Sequence, residues 1–351
     1  MSIKITGLGS YIPNKVMSNS DFENHTFLNA DGSAFKQNTQ IIIKKFVAIT
    51  GIEERRYVSE NLNTSDMAFA AAQRAIKNAN IDAETLDYII VSHNFGDVKY
   101  GDGQADMIPS LAARVKQKLA IANPSCIAYD LIFGCPGWVE GVIQAQAFIK
   151  AGIAKKCLVI GAEALSRVLD QNDRDSMIYA DGSGAAIIEE STDQGGILAH
   201  KSASFTLQEA SYIFNGKGYS TEADNSMFIK MYGRKIYEFA LTNVPLAMQA
   251  CLDNSPFNID DVSKILIHQA NEKMDEAIVK RFYELYDMEM PEGCMPMCIN
   301  KLGNSSVATI PTLYDLIIKG ELAPHEIKKG DILILASVGA GMNINAIIYQ
   351  H

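Results

Sequence analysis

Several things are scarce in this 351-residue chain, and each scarcity excludes something. No apolar run approaches the ~18 residues that a membrane-spanning helix needs. Met1-Ser2-Ile3-Lys4-Ile5 leads directly into strand-like sequence with no signal-peptide pattern, so a soluble cytoplasmic protein is expected. Stretches rich in Gly, Ser and Asn are short, and 48% of the residues are hydrophobic against 21% charged, which excludes a disordered tail or linker. Positive charge is in deficit: 31 basic against 41 acidic residues leave −10, which disfavours a general nucleic-acid surface. An acidic partner would need a local basic patch.

Cysteine is also sparse. Six residues (Cys126, Cys135, Cys157, Cys251, Cys294, Cys298) lie in a chain too large to need disulfide staples, so reduced thiols are expected. Cys294 and Cys298 are the only close pair, and no second paired-Cys or His-x-x-His segment completes a zinc site. No metal is expected.

What is present is a half-chain repeat. The length exceeds one ordinary domain, so two domains or one large fused core is expected. From Thr64 to Asn80 apolar residues recur at helical spacing, followed by Asn80-Ile81-Asp82 and the buried-strand run Tyr88-Ile89-Ile90-Val91. The same order returns as a helix around Ile236 to Leu252, then Asn258-Ile259-Asp260, then Lys264-Ile265-Leu266-Ile267, offset by about 176 residues. Cys157-Leu158-Val159-Ile160-Gly161 and Ile332-Leu333-Ile334-Leu335-Ala336 are a second matching pair. In a third, Gly134-Cys135 and Gly303-Asn304 each open a helix, and fifteen positions separate Cys135 from Lys150 and Asn304 from Lys319. Strands alternating with amphipathic helices predict an α/β fold with mainly parallel pairing. The expected halves are residues 1–190, with the cysteine, and 191–351, with the histidine and asparagine. Equivalent turns would then meet near a pseudo-twofold axis, as a composite site.

The candidate residues sit at such turns. Cys135 lies where an apolar strand meets a Gly-flanked turn and then a helix, with Pro136 suited to the first helical position. A helix N-terminus favours thiolate, so a lowered pKa is expected there; the plainer alternative is a buried structural cysteine. His268 follows the strand Ile265-Leu266-Ile267, where a lone histidine is more often a hydrogen-bonded core residue. Asn304 would ordinarily read as a helix cap or turn residue. Ala336-Ser337-Val338-Gly339-Ala340-Gly341-Met342 runs from a strand into a small-residue loop able to offer N–H groups to an oxyanion; it lacks the context of a nucleotide site. Asp181-Gly182-Ser183-Gly184-Ala185-Ala186 reads as a tight turn entering a buried strand, with a packing role.

Five motifs in order resemble the β-ketoacyl-acyl-carrier-protein synthase III branch of the thiolase superfamily. They are Ile5-Thr6-Gly7-Leu8-Gly9-Ser10-Tyr11-Ile12-Pro13, Thr50-Gly51-Ile52-Glu53-Glu54-Arg55, Asp181 to Ala186, His268-Gln269-Ala270-Asn271 and Gly303-Asn304-Ser305-Ser306. The resemblance covers nearly the whole chain. It implies a thiolase-like fold with duplicated α/β halves in five layers, αβαβα, and a cytoplasmic homodimer of fatty-acid metabolism. It also implies decarboxylative condensation of an acyl thioester with a malonyl-type thioester on acyl carrier protein. Cys135 would carry the acyl group, while His268 and Asn304 would stabilise the enolate. The backbone at Cys135, Gly339, Ala340 and Gly341 would supply the oxyanion donors, chiefly Ala340. No cofactor is implied, since acyl-CoA or acyl-carrier protein are substrates. Lys273, Lys280 and Arg281 match positions that the family uses to dock the carrier protein; otherwise they are a solvated helix face.

Departures from the family pattern bear on the substrate. Lys45 and Ile49 stand where the family usually has a Trp and an Arg that clamp the adenine of coenzyme A, and Glu238 replaces a docking lysine near Arg234 and Lys235. The loop from Asn94 to Ile108, which in the family helps close the acyl pocket across a dimer interface, is longer. These points keep open an alternative: a specialised resorcinol- or polyketide-forming ketosynthase with a primer other than acetyl-CoA. A biosynthetic thiolase would need a second cysteine in the terminal loop. A papain-like hydrolase shares the Cys, His, Asn order but neither the local signature nor the repeat, and a non-catalytic subunit would not require all three side chains.

Overall fold

The apolar runs pair as the inner strands of two sheets in the computed structural model, which describes residues 2–220 and 226–351. Tyr88–Ser92 lies parallel to both Lys156–Ala164 and Ile127–Leu131. Lys156–Ala164 pairs antiparallel with Asp181–Ser191, which pairs antiparallel with Ser2–Tyr11. The second half repeats this order. Val262–Ile267 runs parallel to Ile332–Gly339, and Asn343–Gln350 and Gly196–Ser204 then add antiparallel. The repeat holds at single-residue register, because Ile89 faces Leu158 and Ile265 faces Ile334.

Pairing is mixed, which corrects the expectation of mainly parallel sheets. Only Ala340–Met342 separates the last two strands, too short a link for a parallel crossover. The first sheet ends at Ser191 and the second begins at Gly196.

Helices Thr64–Ala79 and Leu111–Lys118 cover the outer face of the first sheet. Gly137–Lys150 and Thr309–Ile318 fill the space between the sheets, and Gly233–Asp253 and Glu272–Glu284 cover the outer face of the second. The result is the five-layer αβαβα arrangement. Each helical layer has its own apolar core: Ala68, Ala71 and Leu111 outside the first sheet; Trp138, Leu313 and Tyr314 between the sheets; Met248, Ile278 and Phe282 outside the second. Strands covered on both faces carry continuous apolar runs, and each fully buried aliphatic side chain contributes about 1.5–3 kcal/mol.

Small residues set the layer spacing. A Cβ on Gly7 would stand 2.5 Å from the Ala75 carbonyl oxygen, so the helix Thr64–Ala79 lies directly on the first strand. Asp181 to Ala186 is strand throughout, not a tight turn. Its Gly184 leaves room for Pro311, whose Cγ would be 2.6 Å from an added Cβ, so the expected packing role survives the corrected geometry.

Candidate active site

At the seam between the halves a cavity of about 670 Å³ is lined by Cys135, His268 and Asn304 together. Cys135 reaches it because Gly134, at φ +68°, turns the chain sharply after the strand Ile127–Leu131. Pro136 occupies the N-cap of Gly137–Lys150, one place before the first helical position expected for it. The terminal loop packs against this turn: a Cβ on Gly339 would stand 2.5 Å from the Cys135 nitrogen, and one on Gly134 2.7 Å from the Ala340 nitrogen. The backbone of Gly339-Ala340 is thus packed directly against that of Gly134-Cys135. Gly341 takes φ +75°, and Asn343 Nδ2 donates to the Ala340 carbonyl at 2.9 Å, holding the loop.

His268 is carried by the strand Val262–Ile267, and its N–H donates to the Ala336 carbonyl of the neighbouring strand at 2.8 Å. Asn304 is clamped across the seam. Its N–H donates to the Ile178 carbonyl at 2.9 Å and its carbonyl accepts from the Ala180 N–H at 2.8 Å. Asn304 Oδ1 accepts the Ser306 N–H at 2.8 Å, which leaves the side-chain NH₂ as the end offered to the cavity. The helix following Asn304 begins only at Thr309, after a 3₁₀ turn at Ser306–Ala308, rather than at Asn304 itself.

Electrostatics differ from expectation at the cysteine. Cys135 retains an opening to the cavity, yet burial pushes its thiol up to about 11; the Ser306 hydroxyl acts in the opposite direction. Desolvation acts on the whole charge of a thiolate, whereas a helix terminus supplies only a partial charge. Burial also pushes His268 down to about 4, while the Ser306 main chain beside the ring favours protonation. Across neutral pH the imidazole is therefore uncharged. Its Nδ1 is buried with no hydrogen-bond partner among the described residues.

The motif Thr50 to Arg55 is structural. Arg55 is fully buried, donates to the Met177 and Met17 carbonyls and to Asn19 Oδ1, and its Cβ would be 2.7 Å from a Cβ on Gly303. It braces the Asn304 turn from behind. Gln269 likewise ties the His268 segment to Pro296 and Cys298.

Lys273, Lys280 and Arg281 are exposed on the helix Glu272–Glu284 and do not line the cavity. Met274 of that helix and its N-cap Asn271 do, which places Lys273 near the mouth and the other two about two turns away. Lys45 and Ile49 line the cavity, as do Arg174 and Arg234, two cations that sequence reasoning did not select for this role. Ser306, Asn94 and Glu163 were also missed, although Ser306 stands inside a quoted motif. The Asn94 to Ile108 loop forms a small hairpin, Asp97–Val98 with Ala105–Asp106, held by Arg114 at 2.7 Å from Asp97 and from Asp106. Asn94 and Phe95 line the cavity of their own chain, while Tyr100, Met107 and Ile108 are exposed. Among the described residues no helix is long and apolar enough to cross a membrane.

Sheets duplicated in this way about a shared inner helical layer form the thiolase fold, and a site at the seam marks the chain as one of its condensing enzymes. Residues 129–204 match the family model of 3-oxoacyl-[acyl-carrier-protein (ACP)] synthase III, and residues 252–351 match that of its C-terminal part. The chain is 32% identical to beta-ketoacyl-[acyl-carrier-protein] synthase III 1 of Halalkalibacterium halodurans, over 96% of this chain and 95% of that protein. It belongs to the β-ketoacyl-[acyl-carrier-protein] synthase III family. The crystal structure of 3-oxoacyl-[acyl-carrier-protein] synthase III from Aquifex aeolicus superimposes with a TM-score of 0.81 at 29% identity, covering 100% of both chains. The priming β-ketosynthase of the R1128 polyketide pathway, at 21% identity and a TM-score of 0.79 over 99% of this chain and 96% of its own, shares the fold alone.

Proposed function

We propose that Cys135 accepts an acyl group from a thioester, and that His268 and Asn304 drive its decarboxylative condensation with a malonyl-type thioester on acyl carrier protein. The observation that carries this is the convergence of the three side chains, from both halves, on one cavity. The sulfur attacks the donor carbonyl, the oxyanion is held by the Cys135 and Ala340 N–H groups, and the donor thiol leaves with the proton. The malonyl group then loses CO₂, and the electron pair of the broken bond forms an enolate. Its oxygen accepts hydrogen bonds from His268 Nε2–H and the Asn304 amide. The enolate carbon attacks the acyl carbonyl, and the Cys135 sulfur departs. Neutral donors suit this step, because they stabilise the developing charge without protonating the carbanion, and burial keeps His268 neutral.

Beyond the sulfur the wall is apolar, with Phe95, Leu165, Ile178, Ile229 and Met231. With Lys45 and Ile49 in place of the adenine clamp, these residues favour a primer longer than acetyl or one delivered on a carrier protein. Lys273, helped by Lys280 and Arg281, would meet the acidic carrier, and the exposed Tyr100, Met107 and Ile108 would be covered in a homodimer. The specialised ketosynthase alternative has less support, since type III synthases are 31% to 32% identical to the chain over nearly its whole length.

Intact-mass analysis after incubation with a panel of acyl thioesters tests the reading. A stable adduct is expected on the wild type and not on Cys135→Ala, and the donor that labels fastest identifies the primer class. Equal labelling of the Ala variant would overturn the assignment.

A further inference from the structure

A buried polar chain runs from the first sheet to the sulfur. Glu163, 1% exposed within the strand Lys156–Ala164, accepts at Oε1 both the main-chain N–H and the side-chain Nδ2–H of Asn94, each at 2.6 Å. The ionised carboxylate only accepts, and so fixes which end of the Asn94 amide faces it. Nδ2 then has a second hydrogen, which it directs to Ser306 Oγ at 3.3 Å. A serine hydroxyl has one proton. With Asn94 donating to its lone pair, that proton is free to point elsewhere, and Ser306 Oγ donates to Cys135 Sγ at 3.3 Å.

Backbone conformation makes the same point independently. Ser306 holds φ +53°, in the left-handed region where glycine costs least and a side chain is strained. What serine has there and glycine lacks is the hydroxyl. We propose that the Ser306 hydroxyl, aimed by Asn94 on its Glu163 anchor, donates a hydrogen bond to the Cys135 thiolate and sets its reactivity, with Asn94 and Glu163 as positioning residues. The inference rests on Cys135 as the nucleophile.

Other titratable groups face the sulfur. His268 lines the same cavity, Tyr179 interacts with Cys135 through space, and Glu163, when ionised, opposes the thiolate. The hydroxyl is therefore tested by removing it while leaving those three in place. The measurement is the rate of Cys135 alkylation by iodoacetamide against pH, read on the Cys135 peptide of the full chain with no acyl donor present. Iodoacetamide reports thiolate as sulfur displaces iodide, so this test can fail while Cys135 remains the acyl carrier in the mass experiment.

Ser306→Ala and Ser306→Gly are expected to slow alkylation at pH 8 about three- to tenfold and to move the profile to higher pH. Glycine suits φ +53°, so Ser306→Gly keeps the fold and separates lost chemistry from lost structure. Asn94→Ala is expected to give a smaller shift, and the double variant Asn94→Ala/Ser306→Ala to match Ser306→Ala alone, because Asn94 acts through the hydroxyl. A wild-type profile in both Ser306 variants, or an Asn94 effect that persists in full without the hydroxyl, would overturn the proposal.

Discussion

In the first half the central helix starts at Gly137, two residues after Cys135, and the reactive side chain sits on the turn itself. In the second half the chain leaves Gly303, pairs Asn304 with Tyr179 across the seam, bends through Ser306–Ala308 and starts its helix only at Thr309. The neighbouring strand pairs, Tyr88–Ser92 with Lys156–Ala164 and Val262–Ile267 with Ile332–Gly339, keep the same register, so the two halves share a scaffold while these turns differ. One turn presents the Cys135 thiol, the proposed nucleophile, with the Gly339-Ala340 backbone packed against it. The other presents an amide, and beside that a hydroxyl in a strained conformation reaching back to the first. On the proposed reading the repeat divides labour: the first half would hold the acyl group and the second would handle the charge that appears in condensation.

The sharpest way to break that division is to delete the second half's donors. His268→Ala and Asn304→Ala are expected to lower condensation about 10²–10³-fold, while acylation of Cys135 stays within a few fold. Product formation and intact mass read the two steps separately. If both variants lose acylation as severely as condensation, the halves do not divide the chemistry.

Buried titratable groups of the two halves also respond oppositely to pH. Burial holds the Glu163 carboxyl up at about 7 against its ordinary 4.5, so its favourable contribution to stability is complete below about 4.5 and is lost as pH rises through about 7. His268, held down to about 4 against 6.5, contributes above about 6.5 and loses that contribution as pH falls toward 4. Glu163→Gln removes the first effect and keeps an acceptor for Asn94. Its melting temperature is expected to exceed the wild type's by a few degrees at pH 8 and to match it at pH 5. An equal difference at both pH values would show that ionisation of Glu163 is not the cause.

Outside the cavity the expected effect is smallest. Lys273→Glu should raise the KM for a carrier-borne substrate about two- to fivefold at low salt, fading as salt increases, and Lys280→Glu should do less because it stands further from the mouth. An unchanged KM for Lys273→Glu at low salt removes that helix from the docking surface.

Much of this was legible along the chain. Apolar spacing located the strands and central helices, the repeat located equivalent turns, and Cys135 and His268 stood out at strand ends and Asn304 at the turn matched to that of Cys135. Less legible was Glu163: in the run Val159-Ile160-Gly161-Ala162-Glu163-Ala164 it reads as one polar residue in a strand, and only the fold shows Asn94 donating to it twice. Ser306 was quoted as part of a motif, yet its contact with Cys135 bridges 171 positions and no periodicity points to it.

What the amino-acid order determined by itself is whatever depends on near neighbours: element type, caps, the matched turns and the residues they present. Tertiary structure alone decided the return strands that make both sheets mixed, the chain from Glu163 to the sulfur, and the direction in which the thiol's pKa moves. The physical reason is range. Backbone preference and apolar period act over a few residues, whereas desolvation and hydrogen bonding act through space on whatever folding brings near, as at Cys135, where burial raises the thiol's pKa and the Ser306 hydroxyl opposes it.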